Sequence, residues 1–284
     1  MIFDTHAHCY WDTIIPRIDE VVETMEQNWV VKATQIGCDI STSEKAIALA
    51  QRFPWVFYAS VWLHPETAQD EWTMNNEEWR IILSWLEKLI QDNRDVVVAV
   101  GECGFDFHYI DGTDGGKIPA NLSNLSQKAL EQIENQKYWW LEQWKLAQKY
   151  HLPLIIHTRD AREATLDFMQ ENNINRCVMH CFSEDLDFAR MLLDFSPEIY
   201  FSFSGILTYK KSEKIQEAAK NIPLNRILVE TDAPFLAPQS VRGQVNEPTY
   251  TRYILEKLAE LRWVWVDEIE DLIYENSLRF YGIK

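Results

Sequence analysis

Two apolar periods take turns along the chain. Val96-Val97-Val98-Ala99-Val100 is an unbroken apolar run, the mark of a strand buried on both faces. Just before it, Trp79, Ile82, Leu83, Leu86 and Ile90 recur at helical spacing between Glu77 and Gln91. The same exchange of periods predicts strands at Ile2 and Phe3, Val30 to Ile36, Trp55 to Val61, Leu152 to Ile156, Arg176 to Met179, Ile199 to Phe203 and Arg226 to Val229. Helices are predicted over 16–28, from Ser41 to about Phe53, over Gln127 to Tyr150, after Arg159, and over 185–195, 211–220, 248–261 and 267–278. Ser41 followed by Glu44 has the spacing of a capping box.

Strands alternating with helices at this density predict an α/β fold, a (β/α)8 TIM barrel, for which about 250 residues is typical. No Pro/Gly/Ser-rich linker divides the 284 residues, so one domain spanning 1–284 is expected. The polar, glycine-containing stretch at 109–126 is too long for an ordinary connection and is expected to be a lid or a mobile insertion.

The predicted strand ends carry the chemistry. His6 and His8 stand two apart on the first strand and so project from one face. His64, Glu102, His157, His180 and Asp232 each follow a further strand, at the rim where such barrels build active sites. A lone histidine is more often a satisfied polar residue than a ligand, but chance would not place all of them at one rim. Four imidazoles and two carboxylates suit one or two divalent ions such as zinc or manganese. The expected division gives His6, His8 and Asp232 to one ion and His157 and His180 to the other, with Glu102 as the bridge. Such a pair prepares a water for hydrolysis. Asp232 is the candidate acceptor of that water's proton, and Glu230 is expected to orient a ligand through a hydrogen bond. His108 and His151 lack this positional support.

Composition narrows the partners. A net charge of −17 argues against tight, nonspecific binding of long duplexes, whose affinity comes mainly from neutralised phosphates. Twelve tryptophans are mostly expected in the core, with base stacking by one or two as a minor alternative. Five cysteines without a Cys-x-x-Cys pair suit reduced thiols. With no basic leader and no long uncharged apolar stretch, a cytoplasmic protein without a membrane partner is expected, and a monomer.

These residues sit in longer motifs: Asp4-Thr5-His6-Ala7-His8, Gly101-Glu102-Cys103-Gly104-Phe105-Asp106, Pro153 to Ala161, His180-Cys181-Phe182-Ser183, Ser202 to Ile206, and Glu230-Thr231-Asp232-Ala233-Pro234-Phe235-Leu236-Ala237-Pro238. Together, over nearly the whole chain, they resemble the TatD family of metal-dependent hydrolases within the amidohydrolase-like barrel superfamily. The resemblance implies a (β/α)8 barrel and one or two divalent metals (Mg, Mn or Zn) at His6, His8, Glu102, His157, His180 and Asp232. It also implies deoxyribonuclease activity on DNA or oligonucleotide 3′ ends, with Glu102 and Asp232 catalytic and His64, Arg159 and Arg242 as phosphate contacts.

The chain departs from the family pattern in places. Trp62-Leu63-His64-Pro65-Glu66 stands where the family has a glycine-x-histidine-proline-histidine run, and Arg242-Gly243-Gln244-Val245-Asn246-Glu247-Pro248 is two cations short. An arginine common after the Glu102 strand is absent. These changes weaken phosphate binding and favour a smaller or less charged substrate. The alternatives are therefore an ester or amide hydrolase, for example an aminoacyl-tRNA deacylase, or a non-catalytic metal-binding scaffold. Relatives bridged by a carboxylated lysine rank lower, because Lys88 is well upstream of Glu102 and Lys117 lies in the insertion.

Overall fold

The structure, a computed structural model, describes residues 1–70, 76–108, 110 and 125–284. Eight parallel strands follow one another in chain order: β1 (Ile2–Ala7), β2 (Val30–Ile36), β3 (Phe57–Val61), β4 (Val97–Asp106), β5 (Leu154–Arg159), β6 (Cys177–Met179), β7 (Tyr200–Phe203) and β8 (Ile227–Val229). The seam between the first and last strands is drawn together just past β8, where Asp232 N–H donates to His6 O at 2.9 Å and His8 N–H donates to Ala233 O at 2.7 Å. The TIM barrel read from the sequence is thus the observed fold.

The helices between the strands are α1 (Ile18–Gln27), α2 (Ile40–Arg52), α3 (Pro65–Asp70), α4 (Asn76–Asp92), α5 (Gln127–Tyr150), α6 (Arg162–Glu171), α7 (Leu186–Phe195) and α8 (Glu213–Asn221). After β8 come α9 (Thr251–Arg262) and α10 (Val266–Tyr281). Among the described residues, no helix is long and apolar enough to cross a membrane.

One apolar side chain from every strand packs inside the barrel: Phe3, Ile36, Tyr58, Val98, Ile155, Val178, Tyr200 and Leu228. The last turn of α10 joins this cluster through Phe280 and Tyr281, and the Tyr281 hydroxyl donates to Thr5 O at 2.6 Å. With one end plugged, the chemistry is left to the opposite, carboxyl end. A larger apolar layer lies between strands and helices, where Trp140 of α5 meets Phe105 of β4 edge-on at 5.0 Å.

Three local expectations change. Helix α2 is capped by Asp39, whose Oδ1 accepts Thr42 N–H at 2.7 Å, so Ser41 already lies in the first turn and does not form the cap with Glu44. A carboxylate one residue before the helix is the better acceptor for those first N–H groups. Helix α3 is additional; Pro65 opens it, its preset φ suiting a first helical position. Strands β4 and β5 run past their apolar stretches to Asp106 and Arg159, because pairing of Gly104 with His157 and of Asp106 with Arg159 depends on backbone groups, not side-chain polarity. The lid expected at 109–126 falls largely on residues 109 and 111–124, which lie outside the described residues.

Candidate metal centre

Two glycines let β4 carry the centre. Gly101 and Gly104 have φ of +141° and +131°, values that side chains other than hydrogen rarely tolerate. A Cβ on Gly101 would sit 2.6 Å from Ile155 O, and one on Gly104 would overlap His157 O. Bare backbone therefore brings β4 close against β5 while Glu102, between the two, turns into the mouth.

Glu102 is the hub. Its Oε2 lies 2.7 Å from His6 Nε2 and 3.6 Å from His180 Nε2, and its Oε1 lies 2.7 Å from His64 Nε2 and 3.4 Å from His157 Nδ1. Asp232 Oδ1 stands 3.4 Å from His8 Nε2 and 3.7 Å from His6 Nε2. All six residues read as ligands from the sequence therefore converge, within a cavity of about 670 Å³ that most of them line. His6 packs deepest, its ring stacked on that of His180 at 4.0 Å.

The donor set fits a cation. His6 Nε2 and Glu102 Oε2 are buried and close, yet neither takes part in a hydrogen bond. Buried nitrogen and carboxylate oxygen atoms gathered this closely, with the ligand atoms of His6, His8 and Asp232 within 4.8 Å of one another, are a set that a metal ion can satisfy.

Hydrogen bonds on the far ring nitrogens sort the histidines. His8 Nδ1 faces Ile36 O at 2.8 Å, His180 Nδ1 faces Glu230 Oε1 at 3.3 Å, and His157 Nε2 faces Asp106 Oδ2 at 3.1 Å. Each acceptor takes the proton of the outer nitrogen in a hydrogen bond, so the inner one can offer its lone pair once any second proton has left, the usual support for a ligating imidazole. His64 is opposite: its Nδ1 accepts Glu66 N–H at 3.1 Å, so its proton sits on the inner Nε2. His64 approaches Glu102 as a hydrogen-bond donor.

Electrostatics follow from crowding. Burial, aided by the neighbouring His180, lowers the His6 pKa. Burial opposes ionisation of Glu102, but His180, His6 and His64 outweigh it and hold the carboxyl well below its usual range. Burial also opposes charge on His157, yet hydrogen bonds to Asp106 and Glu102 push its pKa up to about 10.

Besides facing His180, the same Oε1 of Glu230 accepts Cys181 N–H at 2.6 Å. Arg159 lines the cavity, with its guanidinium 3.9 Å from Asp106. Arg242 lies outside the cavity lining, over the Tyr209 ring at 4.7 Å. His108 pairs with Asp160 at 2.8 Å.

Asp106 was missed as a participant, although it stands four residues beyond Glu102 on one strand and so shares its face. Asp4 was missed for the same reason. Two before His6, it accepts Thr231 N–H at 2.8 Å and Thr231 Oγ1–H at 2.5 Å, which ties the start of β1 to the segment carrying Asp232.

The family model described as TatD related DNase matches residues 3–282. The chain belongs to the TatD family. Among TatD-like relatives, the metal-dependent hydrolase YabD of Bacillus subtilis is 33% identical over 285 residues, covering 100% of each chain. The metal-dependent hydrolase MG009 of Mycoplasma genitalium is 28% identical, with 98% of each chain covered. The crystal structure of the TatD homolog YjjV of Escherichia coli superposes with a TM-score of 0.83 at 25% identity, covering 100% of this chain and 98% of the other.

Proposed function

We propose that this TatD-family chain, a metal-dependent hydrolase, is a 3′-5′ exodeoxyribonuclease that hydrolyses phosphodiester bonds at the 3′ ends of DNA or short oligonucleotides. What carries the reading is the convergence of ligand atoms: those of His6, His8 and Asp232 lie within 4.8 Å of one another, and so do those of His64, Glu102 and His157. The family description supports DNA as the substrate.

In this reading His6, His8 and Asp232 would hold one divalent ion and His157 and His180 a second, with Glu102 available to both and Mg²⁺, Mn²⁺ or Zn²⁺ as the ion. When bound, the ions supply a water acidic enough to attack at neutral pH and offset charge on the phosphoryl group. The residues do the rest. Asp232, whose carboxyl is held below its ordinary value by His8, His6 and His180 against the effect of burial, is ionised and accepts the proton of the attacking water. Glu230 keeps His180 in the ligating tautomer, and Asp106 does the same for His157. With substrate in place His64 would turn its Nε2–H from Glu102 to a phosphoryl oxygen, with Arg159 as a second contact and Arg242 reserved for a more distant phosphate. The protein works as a cytoplasmic monomer.

One observation favours a second reading. Among the described residues lining the cavity, Arg159 is the sole arginine or lysine, which suits a less charged carboxyl ester or amide such as an aminoacyl-tRNA. Parallel assays decide. A 5′-labelled single strand with Mg²⁺ or Mn²⁺ should shorten stepwise from its 3′ end, and Glu102→Ala should abolish this. Release of amino acid from aminoacyl-tRNA without strand shortening would select the second reading.

A further inference from the structure

Two large aromatic side chains lie open at the mouth of the centre. Trp11 is 44% and Phe235 47% exposed, and both line the cavity. Their ring centroids are 5.5 Å apart with planes at 81°, and Phe235 also meets the His8 ring at 6.4 Å. One ring's face and the other's edge make a corner.

The backbone fixes that corner to the centre. Trp11 N–H donates to His8 O at 3.2 Å, and Phe235 N–H donates to Asp232 O at 2.9 Å. Each aromatic therefore closes a short turn that begins at a proposed ligand. Asn246 Nδ2–H holds Phe235 O at 2.5 Å from the other side. Both rings stand in the cavity wall, so a ligand held at the centre would meet their exposed surface.

We propose that Trp11 and Phe235 form a base-binding subsite, a stacking corner that takes the planar heteroaromatic base of the nucleotide beside the scissile phosphate. The proposal rests on the nuclease reading and adds the means of substrate capture. A chain of net charge −17, with Arg159 the sole arginine or lysine among the described cavity-lining residues, has few cationic side chains to hold phosphates away from the metal centre. Stacking needs no charge, and because every base has a π face it tolerates any sequence, as an end-trimming enzyme requires. Trp11 offers the larger face and contributes more than Phe235.

The test is a cycle of protein against substrate. Trp11→Ala should raise KM for a single strand about ten-fold with kcat retained, Phe235→Ala somewhat less, and Trp11→Phe should recover most of the loss. Wild-type enzyme should lose a similar factor on a strand whose two 3′-terminal nucleotides are abasic, and there Trp11→Ala should add no further loss. Equal loss by Trp11→Ala on normal and abasic ends, or no loss on normal ends, overturns the proposal. Binding separates this outcome from failure of the nuclease reading. In Mn²⁺-loaded protein, dAMP should quench tryptophan fluorescence and deoxyribose 5-phosphate should not, with the quenching lost in Trp11→Ala. If wild-type enzyme cleaves no DNA, the nuclease reading falls, and the stacking corner stands or falls on that quenching alone.

Discussion

His157 and Asp106 meet across the β4–β5 seam, Nε2 to Oδ2 at 3.1 Å, and this contact turns the other ring nitrogen toward Glu102. Asp106 is almost completely buried and also accepts His108 N–H at 2.9 Å, so it cannot swing away. Asp106→Ala frees the His157 ring to rotate. Affinity for Mn²⁺ should fall about 10- to 100-fold by calorimetry, with the helical circular dichroism unchanged.

Metal uptake should release protons. The His157 pKa is pushed up to about 10 by its carboxylate neighbours, against burial, so at neutral pH the metal-free centre holds a proton that a ligating imidazole must lose. The sign is fixed by the raised pKa. Metal affinity climbs with pH between neutrality and about 10, and His157 protonation stabilises the metal-free fold below its unfolded value near 6.5, a gain lost as pH rises through 10. Titrating metal in buffers of different ionisation enthalpy should show net proton release at pH 7, with apparent affinity higher at pH 8 than at pH 6.

Gly104→Ala should damage both fold and site. Its φ of +131° strains any larger residue, and the new methyl group meets the carbonyl of His157. A loss of about 1–3 kcal/mol is expected from urea unfolding, together with weaker metal binding as β5 is pushed aside.

Tyr281→Phe tests the plug. The hydroxyl is buried and donates to Thr5 O at 2.6 Å, so its removal deletes a buried hydrogen bond between α10 and β1. A destabilisation of about 1–3 kcal/mol is expected from the shift in unfolding midpoint.

The barrel was legible because its strands alternate with helices along the chain, and the convergence of the candidate ligands because each closes a strand. For Glu102 and His157 position alone pointed to the mouth where they meet. Asp106 and Asp4 escaped because their partners, His157 and Thr231, are distant in sequence, and contact comes only from β4–β5 pairing for the first and from closure of the barrel seam for the second. The opposite character of His64 was also hidden, since it depends on the direction of the hydrogen bond from Glu66 N–H. Local capping misled at α2, where Asp39 outcompetes the Ser41–Glu44 spacing.

The central claim is that Glu102 joins two ions at one centre, and counting bound metal tests it most directly. Metal-free protein titrated with Mn²⁺, with free ion followed by electron paramagnetic resonance, should take up two equivalents. Glu102→Ala should lose tight binding at both, and His64→Ala should keep both because His64 donates rather than ligates. Retention of two tight equivalents in Glu102→Ala would contradict the account.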